Sequence, residues 1–227
     1  YKILRLIELI LYKIADAIVV HSPANKLVVA KRGADYRKVH VVFLWTDIEK
    51  VKPLPPEKKK LFKDKFVVYY GGVLSYPQGP EVIIDAAYII SKMHKNNKIL
   101  FLIVGEGPEK PKMVAKTRKY KLKNVIFLPF QPWEKHVEFL QNADVGLVTL
   151  RKDYKQPVVP SKLIEIMSAG CVPVLSVPKH SDAVKIAVEW AKAGVWVSPG
   201  NSSELAEVIV KLYLDKELSK MYRKKAR

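Results

Sequence analysis

The sequence predicts an α/β protein: a doubly wound, parallel, six-stranded sheet preceded by the remnant of a second α/β layer. Two observations predict it. From residue 66 onward, six short runs rich in β-branched and aromatic residues alternate with longer stretches of helical period, the pattern of βαβ units. Ahead of them, Val51-Lys-Pro-Leu-Pro-Pro-Glu-Lys-Lys-Lys60 sets three prolines beside a lysine run, which neither a strand nor a helix interior tolerates. The chain therefore divides into residues 1–49, a linker at 50–65 and a Rossmann-like unit at 66–227.

In chain order, Leu4, Ile7, Leu11 and Ile14 share one helical stripe, with a charge every few residues. The chain is expected to begin inside a helix and to be a fragment; the stretch is neither a signal peptide nor a spanning segment. Ala17–Val20 and Val39–Phe43 read as strands around a helix near Ala24–Arg32. The six strands that follow are Phe66–Gly71, Lys98–Val104, Val125–Leu128, Asp144–Thr149, Cys171–Ser176 and Val195–Val197. Between them, Glu81–His94 places Val82, Ile83, Ala86, Ala87 and Ile90 on one face, and Lys110–Leu122, Trp133–Asn142, Ser161–Ala169 and Ser181–Ala193 read as further helices. Asn201 with Glu204 resembles a capping box for a helix through Leu214, and Lys216–Ala226 closes the chain.

The 227 residues, 49% hydrophobic and 27% charged, suffice for a buried core and exclude a disordered or fibrous chain. Cys171 is the single cysteine, so an intrachain disulfide and a thiolate metal cluster are excluded. That composition suits a reducing compartment, and the expected location is cytoplasmic. His21, His40, His94, His136 and His180 show no metal-ligand spacing, and no metal is expected; His21 and His180 follow strands and could point into a cleft. No Ser-His-Asp order or nucleophile elbow is present. Forty Lys and Arg against 22 Asp and Glu give +18, a field that favours polyanions, anionic membrane surfaces or phosphorylated small molecules. Much of it lies at 110–123 and 220–227, read first as solvated helix surface and second as an anionic lipid contact; nucleic acid ranks last, since no reader motif is visible.

In the usual order 3-2-1-4-5-6, a ligand binds beyond the carboxyl ends of strands 1 and 4, where the order reverses. Strand 1 runs into Gly71-Gly-Val-Leu-Ser-Tyr-Pro-Gln-Gly79, whose glycines Gly71, Gly72 and Gly79 allow close backbone approach. Strand 4 runs into a long loop that ends at Pro160-Ser-Lys-Leu-Ile-Glu165. Behind Pro160 the amides of Ser161, Lys162 and Leu163 are expected to be free donors at a helix start, with the Lys162 ammonium beside them. Glu165, one turn on, can reach the same ligand, and a carboxylate near phosphates is better used on ribose hydroxyls. Gly105, in Val104-Gly-Glu-Gly-Pro108, reads by itself as a turn, and Leu128-Pro-Phe-Gln-Pro-Trp133 can offer backbone groups or the Phe130 ring to a base.

Eight pieces carry a family likeness: Ala15-Asp-Ala-Ile-Val-Val-His-Ser22; Lys38-Val-His-Val-Val42 with Asp47; Gly71–Gly79; Ile103-Val-Gly-Glu-Gly-Pro108; Asn124-Val-Ile-Phe-Leu128; Asn142-Ala-Asp-Val-Gly146; Pro160–Gly170; and Val197-Ser-Pro-Gly-Asn201. In this register they resemble the carboxyl-terminal, nucleotide-sugar-binding domain of GT-B glycosyltransferases, specifically retaining family 4, the glycosyl transferases group 1. The resemblance implies two Rossmann-like domains across a cleft, the donor held by the carboxyl-terminal one and the acceptor by an amino-terminal one of which 1–49 is the end. It implies transfer from a UDP- or GDP-sugar, with retention, to a glycan or lipid-linked acceptor, without cofactor or metal.

Carried over residue by residue, Glu165 matches the second glutamate of the family's Glu-x7-Glu motif, which holds the donor ribose, and Ser161, Lys162 and Leu163 match its diphosphate-binding helix start. The first glutamate falls at Pro157, and the Arg and Lys of the strand 1 loop fall at Val73 and Gln78, leaving Lys152, Lys155 or Lys162 to supply charge. No catalytic residue is assigned. Those three differences motivate an alternative, a non-catalytic nucleotide- or polyanion-binding module; a nucleotide-sugar epimerase would need carboxylates that cannot be placed. The basic surface suits a peripheral position at the cytoplasmic membrane face, and a homodimer would bury the face left by an absent domain.

Overall fold

Residues 2–58, 61–93 and 98–226 are described by the structure, a computed structural model. Tyr1, His94 and Arg227, at ends of predicted segments, and Lys59 and Lys60 of the linker lie outside them. The strands β3 (Phe66–Gly71), β4 (Ile99–Val104), β5 (Val125–Leu128), β6 (Val145–Thr149), β7 (Val172–Ser176) and β8 (Val195–Val197) pair in parallel in the order β5-β4-β3-β6-β7-β8. Numbered within the sheet this is 3-2-1-4-5-6, the expected order, and it reverses between β3 and β6, where Tyr69 pairs with Leu102 on one side and Gly146 on the other.

Both faces of the sheet are covered, which is why its strands are almost continuously apolar. Alternation sends Val68, Tyr70, Phe101, Ile103 and Leu147 to one face, against α3 (Glu81–Met93), α4 (Lys110–Lys119) and α8 (Ser202–Leu214). Val67, Tyr69, Leu102, Val104 and Leu175 meet the other, against α5 (Trp133–Asn142) and α6 (Lys162–Ser168). At seven residues α6 is too short to be stable alone, so its buried Leu163 and Ile166 hold it. Gly146 is what lets α6 lie on β6: a Cβ there would fall 2.5 Å from the Ile166 side chain.

Some boundaries differ from expectation for local reasons. The helix expected at 161–169 is Lys162–Ser168, and the one expected at 110–122 stops at Lys119, because Lys121 takes a left-handed conformation (φ 52°) that turns the Leu122 amide onto the Thr117 carbonyl at 3.1 Å. The single helix expected at 181–193 is a short α7 (Asp182–Val184) that widens into a π-helical turn, Lys185–Trp190. The proline-rich segment is no free tether in its first part. Val51 is fully buried, the Ser168 hydroxyl donates to its carbonyl at 2.5 Å, and the Gln141 amide donates to the Lys50 and Lys52 carbonyls.

Ahead of it, α1 (Lys2–Ile14), β1 (Ile18–Val20), α2 (Pro23–Lys31) and β2 (Val39–Val41) form a separate layer around a two-stranded parallel sheet with a small core of Val20, Ala34 and Val39. It is fastened to the larger unit by the Ala24 amide, which donates to Asp182 at 3.0 Å, and by the Phe43 ring edge on Trp190. α1 buries none of its residues. No helix among the described residues is long and apolar enough to cross a membrane.

Candidate functional site

Over the carboxyl ends of β3 and β4 opens a cleft of about 340 Å3. It gathers Gly71 and Gly72 from the turn after β3, Phe130 from the loop before α5, and Ser161, Lys162 and Glu165 from the start of α6, together with Val104, Gln131, Trp133 and His136. The sheet's order explains the convergence: β3 stands beside both β4 and β6, so the turns that leave them share one end of the molecule.

The glycine turn is shaped by close approach. Gly72 has φ 133°, and a Cβ on it would lie 3.0 Å from Lys162 Nζ. Gly105 does not line the cleft but forms the floor beneath it, since a Cβ there would come within 1.9 Å of the Gly72 carbonyl oxygen. Gly79 ends the Tyr76–Gln78 turn in a left-handed conformation and faces Arg151, in a separate cavity of about 250 Å3 that also includes Glu81 and Lys152. The Arg151 guanidinium lies 3.9 Å from the Tyr76 ring centre and 3.6 Å from Glu81. Val73, half exposed, and Gln78, whose Oε1 is buried without a hydrogen-bond partner among the described residues, lie outside the cleft.

At the start of α6 one expectation is corrected. The Leu163 amide is not free: the first turn closes tightly, with Leu163 N donating to the Pro160 carbonyl at 3.0 Å and Ile164 N to that of Ser161 at 3.1 Å. Leu163 itself is fully buried in the core, and Pro160 is buried as well. Of the three predicted amides, those of Ser161 and Lys162 make no backbone hydrogen bond among the described residues. The charge comes from Lys162, whose ammonium sits 4.1 Å over the Tyr70 ring. Burial pushes its pKa down to about 8, which leaves it mostly cationic at neutral pH. Lys152 and Lys155 are exposed, and neither lines the cleft.

Glu165 is not alone. His136 Nε2 lies 3.1 Å from its Oε2, and His136 Nδ1 lies 2.7 Å from the Tyr69 hydroxyl. A carboxylate only accepts, so Nε2–H donates to Glu165, and in that tautomer Nδ1 accepts from the Tyr69 hydroxyl. Burial pushes the Tyr69 phenol up, so it keeps its proton. The hydrogen bond from His136 lowers the Glu165 pKa against the opposing effect of burial, and Trp133 adds a further hydrogen bond. Tyr69, Trp133 and His136 escaped the sequence reading. Trp133, His136, Val137 and Leu140 follow i, i+3, i+4 and i+7, so a polar ring on the core-facing stripe of α5 was the available signal. His21 Nδ1 lies 3.2 Å from the Val42 carbonyl, which can only accept from it, and His180 is exposed; neither lines the cleft. Among the described residues no group of three or more His, Cys, Asp or Glu could hold a metal.

Residues 52–227 match the family model described as glycosyl transferases group 1. The chain belongs to this family. Over 220 residues it is 24% identical to an uncharacterised glycosyltransferase of Methanocaldococcus jannaschii, an alignment that takes in 96% of the chain and 54% of that relative. Over 136 residues it is 26% identical to WcaI of Escherichia coli, named for colanic acid biosynthesis, covering 60% of the chain and 32% of that relative. The group 1 chain thus spans about half the length, or less, of these relatives. Its fold is that of Anabaena HepE, solved with UDP and glucose, at TM-score 0.81 and 20% identity over 98% of this chain and 60% of that one. The sucrose-phosphate synthase of Thermosynechococcus elongatus superposes at TM-score 0.77 and 18% identity, over 100% and 56%.

Proposed function

We propose that the cleft binds the nucleotide diphosphate of a sugar donor, UDP- or GDP-linked, and that the whole protein transfers the sugar with retention, as a family 4 hexosyltransferase, to a glycan or lipid-linked acceptor. One observation carries this reading: the glycine turn after β3 meets, in one cleft where the strand order reverses, a lysine ammonium and a carboxylate that both project from the start of α6. Phosphates fit the glycine turn, the Ser161 and Lys162 amides and the Lys162 ammonium; ribose hydroxyls fit Glu165; a base fits the exposed Phe130 ring and the neighbouring backbone. HepE, with UDP in its structure, lends support on the side of uridine. The printed name of WcaI lends support on the side of polysaccharide synthesis.

In chemical terms the leaving group is a diphosphate, and a site that accelerates its departure must stabilise the charge that grows on it. Lys162 and the two amides are placed to do so. The acceptor is assigned to an amino-terminal domain ending in 1–49, so the 227-residue chain is expected to bind nucleotide and to transfer little or no sugar by itself. A cytoplasmic position against an anionic membrane face, and a homodimer, complete the proposal; the +18 charge supports the first. The non-catalytic module is the second reading, favoured by Val73, Gln78 and Pro157, and whole protein that bound donor without turnover would establish it.

The test is a calorimetric titration with UDP, GDP, ADP and their sugars, repeated on Glu165→Ala. Selective binding of one nucleotide, weakened by the substitution, is expected. Absence of binding by every nucleotide would refute the reading.

A further inference from the structure

We propose that His136 is a positioning residue, which together with Tyr69 holds the Glu165 carboxylate ready for the ribose hydroxyls of the nucleotide. The inference rests on the nucleotide reading of the cleft and deepens it.

The three side chains come from three elements: Tyr69 from β3, His136 from α5 and Glu165 from α6. Their hydrogen bonds run in one line from the core to the cleft, Tyr69 hydroxyl to His136 Nδ1 at 2.7 Å and His136 Nε2 to Glu165 Oε2 at 3.1 Å. The inner end is fixed, since Tyr69 is 1% exposed in the centre of the sheet. The outer end is half-buried and lines the cleft. A glutamate side chain has three rotatable bonds, and freezing them before a ligand arrives removes that ordering loss from the binding step.

Capacity also remains. A carboxylate offers about four acceptor positions, and His136 and Trp133 engage it without exhausting them. Both partners approach from the α5 side, while the glycine turn and Lys162 border the cleft elsewhere. A hydrogen bond that served only stability would gain nothing from standing at the mouth of the cleft with acceptor sites to spare.

The experiment compares UDP with its 2′,3′-dideoxy analogue by calorimetry, for the parent chain and for His136→Phe, His136→Gln and Tyr69→Phe. Hydrogen bonds to a charged acceptor predict that the parent prefers UDP by about tenfold or more. His136→Phe should lose most of that preference while binding the dideoxy analogue as the parent does. His136→Gln, which can donate to Glu165 and accept from Tyr69, should restore it, and Tyr69→Phe should fall between. A His136→Phe chain that keeps the full preference, or that weakens equally toward both ligands, overturns the proposal.

Nitrogen-15 NMR of His136 in the parent supplies a readout independent of any ligand and of any variant's folding. Protonation at Nε2 with an accepting Nδ1 is expected, and the opposite tautomer overturns the proposal. A parent that binds no nucleotide overturns the function of the cleft and the proposal with it; a parent that binds UDP while His136→Phe discriminates as well overturns the proposal alone.

Discussion

Gly105→Ala tests whether the cleft floor is set by backbone contact. The added methyl would sit 1.9 Å from the Gly72 carbonyl oxygen, and carbon and oxygen rest at about 3.3 Å or more, so the two turns must part by about 1.4 Å. They cannot part freely. Gly72 N donates to the Val104 carbonyl at 3.0 Å, Leu74 N to that of Glu106 at 2.8 Å, and Gly105 N to that of Leu128 at 3.0 Å. Forcing an extra methyl into such a contact costs about 1–3 kcal/mol. For a chain of this size that lowers the thermal midpoint by about 2–12 °C.

Nucleotide affinity should fall further than stability alone requires, by about tenfold or about 1.4 kcal/mol, because Gly72 is displaced within the cleft. Differential scanning calorimetry and nucleotide titration read the two effects. Gly200→Ala is the control: its φ of 80° is unfavourable for alanine, but nothing lies within 4 Å of the added carbon. It should cost about 1–2 kcal/mol of backbone strain and leave affinity unaltered. A Gly105→Ala chain with the parent's melting temperature and affinity would refute the reasoning.

Other outcomes follow from particular groups. Lys162→Met should raise stability at neutral pH, since a desolvated ammonium is removed, yet weaken UDP by about tenfold or more, measured by urea unfolding and titration. Because the folded-state pKa of Lys162 is depressed to about 8 from 10.5, the unfolded chain binds more protons between those values. The Lys162 contribution to stability should therefore rise with pH across that window, and Lys162→Met should remove that rise in unfolding experiments. At the opposite end of the sheet, Asp144 is ion-paired with Arg223 and accepts the Val67 amide at 2.7 Å, so Asp144→Ala should destabilise by about 1–3 kcal/mol and by more than Arg223→Ala. Incubation of the 227-residue chain with UDP-sugars and candidate acceptors should yield little product by chromatography; turnover at an ordinary enzymatic rate would overturn the assignment of the acceptor to another domain.

Much was legible along the chain because it is local. The short apolar runs and the 3.6-residue stripes are short-range consequences of how side chains leave a strand or a helix, and they placed all six strands; the usual doubly wound order, applied to them as a rule, then named the two loops that border the cleft. Gly71, Gly72, Ser161, Lys162 and Glu165 were found this way, since a topology rule names the end of the sheet that binds. Contacts between distant segments had no such signature. That Lys162 leans on Tyr70, that Gly105 presses on Gly72, and that Val51 is buried against α5 and α6 depend on packing geometry that no sequence spacing encodes. The Tyr69, His136 and Glu165 line joins residues 67 and 29 positions apart, and each is an ordinary residue of its own element until the sheet and helices bring the three together. Local propensity determined the elements and the end of the sheet where a ligand goes; only tertiary packing decided which side chains share that end.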